Sequence, residues 1–245
     1  MRLFLSSTFT ALALLAGCAG TGESSAPVVS VPSQLPLVFK AADKATWEPQ
    51  LLPGKLRTAF HQAQHEGRSS IQADSVGSAS MLRQRVRIEP DQLGQLSFHW
   101  QVANLIDGVD MNVRDLEDSP VRVVLAFDGD RSRFSPRNAM LNELSRTLMG
   151  EEMPYATLMY VWSNDLPIET AIINPRTDRI RKIVVESGSG RLRQWLGYER
   201  DVRADFERLF GEAPGTLQGI AIMTDTDNTR GHTQAWYGEI RLMPK

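Results

Sequence analysis

The sequence predicts a mainly β protein built as a two-sheet sandwich. Most of the chain after residue 36 alternates polar and apolar residues with a period of two, which is typical of strands. Turn-forming pairs such as Glu66-Gly67 and Asp128-Gly129 separate these stretches. Only two stretches have helical spacing, too few for repeated strand–helix–strand units. We therefore expect two packed sheets, with one or two short helices in the connections.

The strand patterns also predict which side chains face the core. In residues 95–102, alternation places Phe98 and Trp100 on one face and His99 and Gln101 on the other. Trp100, together with Phe127 in a second strand, is expected to be core. Strands are predicted over residues 83–88, 95–102, 121–127, 156–162, 180–185, 217–223 and 235–242, with shorter patterns at 58–64 and 69–74.

The two helical patterns lie in connections between strands. Residues 138–149 place Leu144 and Leu148 on one apolar stripe. Residues 199–210 form a second amphipathic segment, and Gly211 follows it as a stop signal. Both are short, so they fit a sandwich with helices in its connections.

The N-terminal sequence predicts export of the protein and its anchoring to a membrane. An apolar run ends in Leu15-Ala16-Gly17-Cys18, and Cys18 is the only cysteine of the chain. This tetrapeptide resembles the lipobox of bacterial lipoproteins, in which the cysteine is lipidated and becomes the first mature residue. We predict a signal peptide over residues 1–17, a lipidated cysteine and flexible tether over 18–36, and one β-sandwich domain over 37–245.

The predicted location is the cell envelope, with attachment to the membrane through the N-terminal lipid. Ala19 follows the cysteine, and the absence of aspartate there favours the outer membrane by analogy with enterobacterial sorting. A net charge of −2 argues against a nucleic-acid partner. Once Cys18 is lipidated no thiol remains, which excludes disulfides, thiolate metal sites and a cysteine nucleophile.

The densest polar cluster is residues 225–229, Asp-Thr-Asp-Asn-Thr, between two predicted strands. Carboxylate oxygens of Asp225 and Asp227 could bind calcium, with Asp118 completing the site. Arg230 stands where an EF-hand would need glycine, so any such site is of another kind. The alternative is a hairpin loop whose Asp and Asn side chains bond their own backbone.

The same acidic residues could instead take part in catalysis. Asp225 or Asp227 could pair with Glu117 or Asp118 as the two carboxylates of a glycan hydrolase. The chain contains no nucleophile elbow, phosphate loop, dinucleotide fingerprint or zinc-protease motif. Catalytic residues therefore stay unknown, and the balance favours a protein that is not an enzyme.

Several motifs together resemble a known bacterial family. They include Phe98-His99-Trp100-Gln101-Val102, Leu158-Met159-Tyr160-Val161-Trp162, the 225–229 cluster and Trp236-Tyr237-Gly238-Glu239-Ile240. The chain after the tether is similar to the family labelled domain of unknown function 3047. The resemblance implies a jelly-roll-like β-sandwich similar to galactose-binding-like and carbohydrate-binding modules. It carries no established activity.

These observations favour a non-catalytic, outer-membrane-anchored lipoprotein whose sandwich binds a glycan or another envelope polymer. The alternatives are a glycan hydrolase on the same scaffold and an assembly or scaffold lipoprotein that contacts only protein. Calcium is the one cofactor considered. The predicted ligand-contact residues are Asp225, Asp227, Asn228, Trp162 and Arg122.

Overall fold

The computed structural model describes residues 37–41, 43 and 46–245. The predicted signal peptide, Cys18 and the tether lie outside the described residues, so their roles stay predictions. Within the described part of the chain, no helix combines the length and hydropathy needed to cross a membrane.

The described elements include thirteen strands and two α-helices. In chain order they are β1 (Leu37–Phe39), β2 (Glu48–Leu51), β3 (Ala59–His65), β4 (Arg68–Val76), β5 (Ala79–Ile88), β6 (Gln95–Val102), β7 (Ser119–Phe127), α1 (Pro136–Met149), β8 (Ala156–Ser163), β9 (Ala171–Ile173), β10 (Ile180–Ser187), β11 (Leu196–Asp201), α2 (Val202–Phe210), β12 (Leu217–Asp225) and β13 (His232–Leu242).

The strands form two sheets, which confirms the predicted β-sandwich. The six-stranded sheet has the order β11-β6-β13-β4-β3, and β1 also pairs with β13. The seven-stranded sheet has the order β2-β5-β12-β7-β8-β10-β9. Among the described strand pairs, β8 and β10 run parallel and the others antiparallel.

The core lies between the two sheets. Phe98 of one sheet and Tyr160 of the other stack with ring centroids 5.5 Å apart. Phe127 meets Phe206 of α2 edge-on at 4.7 Å, so α2 contributes to the same core. Trp100 and Phe127 are fully buried in this cluster, as predicted.

The helix boundaries follow from local capping and strand pairing. Ser135 accepts a hydrogen bond from the backbone N–H of Asn138 and so starts α1, and Gly150 ends it in the left-handed conformation. The second helix begins at Val202 instead of residue 199, because residues 199–201 pair with β6 as the end of strand β11. Asp201 then caps α2 by accepting from the N–H of Ala204.

The apolar stripe predicted for α1 does not face the core. The side chains of Leu144 and Leu148 are about half exposed, while Asn138 and Asn142 are buried. Asn138 bonds Thr177 and Asp178, and Asn142 accepts from the backbone N–H of Met153. Polar contacts to neighbouring loops therefore decide which side of α1 is covered.

Candidate functional site

A buried group of charges forms where β12 ends and β7 begins, and we call it the ionic cluster. Asp225 is the last residue of β12 and pairs in register with Ser119. Arg122 donates two hydrogen bonds to the Asp225 carboxylate, Nε to Oδ1 at 2.8 Å and Nη2 to Oδ2 at 2.7 Å. Both side chains are at least 95% buried. The members are Arg122, Asp225, Asp118, Glu117, Lys182, Asp227 and Lys55.

Glu117 joins Arg122 to a buried lysine. Its carboxylate accepts hydrogen bonds from the Lys182 ammonium and from Nδ2 of Asn174, the latter at 2.9–3.0 Å. Nη1 of Arg122 lies 3.6 Å from Oε1 of the same carboxylate. Lys182 has no exposed surface, so this charge depends entirely on its partners.

Asp118 organises the loop that follows β12. Its carboxylate accepts from the backbone N–H and side-chain amide of Asn228, at 3.2 and 3.1 Å. It also accepts from the backbone N–H and hydroxyl of Thr229, at 2.8 and 2.7 Å. The loop is therefore held chiefly by a carboxylate from another segment, and not by its own Asp and Asn side chains.

The three predicted metal ligands do come together. Carboxylate oxygens of Asp118, Asp225 and Asp227 lie within 4.8 Å of one another. The Lys55 ammonium bonds Asp227 from the solvent side, where its own side chain is about one-third exposed. Four carboxylates face three cations in the cluster, which leaves one net negative charge. A calcium ion at these aspartates would have to compete with Lys55.

Burial controls the protonation of the cluster. It raises the pKa of Asp225 to about 6, and the charge of Arg122 opposes that rise. Burial, together with the neighbouring positive charge of Arg122, lowers the pKa of Lys182 to about 8. Burial therefore works against the charged forms of both Asp225 and Lys182, and their partners in the cluster oppose it.

The predicted contact residues separate into two groups. Arg122, Asp225, Asp227 and Asn228 belong to the cluster or bond it directly. Trp162 does not, and its predicted contact role needs correction. Its side chain is 0% exposed in the core, where the indole N–H donates to the carbonyl of Gly188 at 3.0 Å. A ring without exposed surface offers no face to a ligand.

Sequence reasoning missed the lysines of the cluster, although one of them left a signal. Lys182 interrupts the apolar run of β10, and a charge in a buried strand requires a buried partner. Lys55 gave no sequence signal of its role, because it lies in an irregular segment far from Asp227 in the chain.

A second candidate surface lies on the outer side of the six-stranded sheet, and we call it the aromatic face. Its members are Trp195, Trp236, His65 and Arg68. Trp236 alternates with core-facing Ala235 and Tyr237, so it lies on the outer side of the sheet, where it is nevertheless buried, with 8% of its surface exposed. His65 stacks on Trp236 at 3.8 Å and lies 6.1 Å from Trp195. The Arg68 guanidinium lies 5.4 Å from the centre of the Trp195 ring.

A polar depression of about 440 Å³ adjoins this aromatic face. A side chain at Gly238 would come within 3.4 Å of the Trp195 ring, so the indole borders the floor. The lining residues are Arg68, Ser69, Ser97, His99, Gly238, Glu239 and Arg241. Arg241 bonds Glu239 across this surface. The outward position of His99 was predicted from strand alternation.

Several buried polar atoms around the aromatic face lack partners. Among the described residues, Nε2 of His65, Nε1 of Trp195 and Oε1 of Gln101 find no hydrogen-bond partner. Buried polar atoms in proteins are normally paired with protein, water or ligand groups. The aromatic face thus combines apolar rings with polar atoms that are buried and unpaired within the described part of the chain.

The family follows from the sequence, which matches the family described as Protein of unknown function (DUF3047) over residues 45–241. The chain belongs to this family. The match spans both sheets from β2 to β13, and therefore includes the ionic cluster and the aromatic face. A search of curated proteins found no significant match.

The chain can also be compared with solved structures. The chain is similar to the xylan-binding module CBM86 from Roseburia intestinalis (TM-score 0.34, 10% identity, 86% of this chain and 97% of that one). It is similar to the K2 cleaved adhesin domain of Lys-gingipain (TM-score 0.38, 8% identity, 85% of this chain and 99% of that one). It is also similar to the glycoside hydrolase domain of Endo-D from Streptococcus pneumoniae R6 (TM-score 0.35, 12% identity, 80% of this chain and 21% of that one). The chain therefore spans about a fifth of that protein's length.

Proposed function

We propose that this chain is an envelope lipoprotein whose β-sandwich binds a glycan or another envelope polymer through the aromatic face, without catalysis. The observation that carries the proposal is the Trp195 ring beside a polar depression. Trp195 is partly exposed, and its indole N–H has no partner among the described residues. A partly exposed indole ring beside charged and hydroxyl side chains is a surface that recognises something both apolar and polar.

The chemistry of a sugar ring matches this combination. One side of the ring is a flat array of C–H groups, which packs on an indole, and its rim carries hydroxyls. Arg68 and Arg241 supply forked N–H donors, and Glu239 supplies a carboxylate acceptor, on the same side of the sheet as Trp195. Ser69, Ser97 and His99 add shorter polar groups around the floor.

The hydrolase alternative finds less support. Its candidate carboxylates are Asp225, Asp227, Glu117 and Asp118, all members of the ionic cluster. Each accepts hydrogen bonds from a lysine, arginine, amide or hydroxyl of the chain. General acid–base chemistry needs a carboxyl that can reach the substrate and a water. Asp118 and Asp225 are almost completely buried, so neither has that access.

The anchoring part of the proposal rests on the N-terminal sequence. Cys18 would carry the lipid, and residues 18–36 would connect it to the sandwich. With Ala19 after the cysteine, the outer membrane is the proposed location. A domain held near the membrane in this way would meet envelope polymers at high local concentration.

Calcium is a second candidate ligand, supported by the close approach of Asp118, Asp225 and Asp227. Hard cations prefer carboxylate oxygens. The ammonium of Lys55, whose side chain is partly exposed to solvent, now bonds the Asp227 carboxylate. Calcium would serve here to fix the 225–229 loop, since Asp118 already binds Asn228 and Thr229.

The proposal is tested by binding of the chain, expressed without residues 1–18, to purified sacculi and to a panel of soluble polysaccharides. Trp195→Ala should weaken binding by at least about tenfold, as for the central aromatic of an interface. Ile173→Ala is the matched control, because Ile173 is an exposed apolar side chain on the other sheet. Failure of the unmodified chain to bind any of these polymers, or equal binding by Trp195→Ala, would overturn the proposal.

A further inference from the structure

The outer side of the seven-stranded sheet carries a second apolar layer. Val124, Met159, Ala221 and Met223 form a buried cluster there, separate from the core between the sheets. Their strand neighbours, such as Leu125, face the core instead. An outer sheet face exposed to water is usually polar, so an apolar one needs a covering layer or a ligand.

A cleft of about 580 Å³ lies over this layer. The C-terminal end of α1 and the connection to β8 form its cover, since Ser145, Met149 and residues 151–154 line it. Small side chains on adjacent strands leave the space at its floor, where Gly219 pairs with Ala126, and Ala126 pairs with Thr157. The volume lies within the range of about 300–1,000 Å³ that is typical of small-molecule sites.

The apolar lining favours a flexible chain over a ring. Four methionines line the cleft, Met81, Met149, Met153 and Met159, with aliphatic neighbours such as Val124. None of the described residues that line it is aromatic. Methionine side chains are unbranched and adapt to flexible apolar ligands, whereas stacking on a planar ring needs aromatic surface.

One side of the cleft carries two arginines that are held by carboxylates of the chain itself. Arg83 and Arg85 project to the same face of β5, and both bond the carboxylate of Glu151. Arg83 donates to it at 2.8 and 3.1 Å, and its Nε is buried with no hydrogen-bond partner in the described part of the chain. Glu48 also contacts both arginines, at 3.2–3.5 Å. Glu151 follows the end of α1 and is more than one-third exposed.

We propose that this cleft binds an aliphatic chain that ends in an anionic group. The chain lies on the methionine-rich floor, and the anionic end takes the place of Glu151 between Arg83 and Arg85. Two guanidiniums that share one carboxylate are suited to a carboxylate or phosphate headgroup. This site is on the opposite sheet from the aromatic face, so it stands independently of glycan binding.

The test uses dodecanoate and dodecyl phosphate below their micelle concentrations, with dodecanol as the uncharged control. The chain without residues 1–18 retains every described element and carries methyl-labelled methionine. Dodecanoate should shift the NMR signals of Met81, Met149, Met153 and Met159. Met140 and Met243 are exposed, do not line the cleft and should stay in place. The relative affinity of the two charged probes identifies the preferred headgroup.

Three variants test the placement of the two ends. Arg85→Gln should weaken dodecanoate binding about tenfold, because a hydrogen-bonded charge is lost. Glu151→Gln should tighten it, because the competing carboxylate is gone. Ala126→Leu should abolish it by filling the floor. Arg87→Gln is the control, since Arg87 is exposed on the same strand outside the cleft.

Three results would overturn the proposal. The first is an unchanged set of methionine signals with the unmodified chain, which needs no variant to fold. The second is equal affinity for dodecanol and dodecanoate, and the third is weaker dodecanoate binding by Glu151→Gln. Trp195→Ala should leave dodecanoate binding unchanged, so a failed glycan experiment would not be confused with a failed lipid experiment.

Discussion

Arg122 and Asp225 form a bidentate ion pair between adjacent strands, with both side chains buried on the outer side of the seven-stranded sheet. The charge of Arg122 is shared with Glu117, whose backbone carbonyl also accepts from Nη2 at 3.1 Å. Although burial alone would lower it, the pKa of Arg122 is raised by these carboxylates. The pair therefore stays charged inside the protein, and its stability depends on both members.

Arg122→Met should strongly destabilise the fold. The change leaves Asp225 buried with no charged partner at bonding distance, and removing one partner of a buried ion pair costs about 3–5 kcal/mol. Chemical denaturation monitored by tryptophan fluorescence measures the free energy of unfolding. Arg87→Met, at an exposed arginine of β5, should change it by less than about 0.5 kcal/mol. Equal unfolding midpoints for the two variants would contradict this account of the cluster.

Glu151 should make the cover of the methionine-lined cleft sensitive to acid. Hydrogen bonds from Arg83 lower the pKa of Glu151 to about 2, below its usual value of 4.5. A depressed carboxyl contributes stability above its unfolded pKa and loses it as the pH falls through the folded one. The contribution should therefore be complete above pH 4.5 and disappear towards pH 2.

Melting temperatures between pH 6 and 2 measure this effect. Glu151→Gln should flatten the decline below pH 4.5 relative to the unmodified chain. Glu143→Gln serves as the control, because Glu143 is a largely exposed carboxylate on α1. The same acid decline in Glu151→Gln as in the control would show that the bonds to Arg83 and Arg85 do not hold the cover.

Calcium should raise the melting temperature of the chain if it binds the three aspartates, since binding only to the folded state stabilises it. Lys55→Met should enlarge that increase, because the competing ammonium is removed from Asp227. Asp227→Asn should abolish it, while Asp91→Asn, at an exposed acid, should not. Melting curves insensitive to calcium in both the unmodified chain and Lys55→Met would exclude a calcium role.

Cys18 should attach the protein to the membrane. Replacing it with serine removes the only thiol of the chain, so no lipid can be added at that position. Cell fractionation with palmitate labelling should find the label and the membrane association only in the unmodified protein. Separation of inner and outer membranes then tests the predicted location. Equal labelling of Cys18→Ser would rule out this anchor.

Strand alternation allowed most of the fold to be predicted. It placed Phe98 and Trp100 inside and His99 and Gln101 outside, and the two sheets confirm that assignment. The short strands β1, β2 and β9 were missed, because three or four residues hold too few alternations to form a pattern. Strand β11 was missed because its last three residues were assigned to a helix. Residues 199–201 fit the helical period, but they pair with β6 as a strand, so strand pairing outweighs the local helical pattern there.

The candidate sites were harder to predict because they depend on contacts between distant segments. Asp118, Asp225 and Asp227 were grouped from their chemistry, and the structure brings their oxygens together. Composition could not show that Lys55 would reach Asp227, or that His65 would cover Trp236. The wrong assignment of Trp162 has a simple cause. A tryptophan in a strand can face either side, and the residues before it, Met159 to Val161, are all apolar, so no alternation separates the two faces of β8.

The most direct test of glycan binding at the aromatic face is indole N–H NMR of the five tryptophans, Trp47, Trp100, Trp162, Trp195 and Trp236. A polysaccharide that binds the chain should shift the Trp195 signal and, through the stacked His65, that of Trp236. Trp100 and Trp162 are fully buried in the core and should stay in place. Binding that leaves the Trp195 signal unchanged would contradict the proposed site.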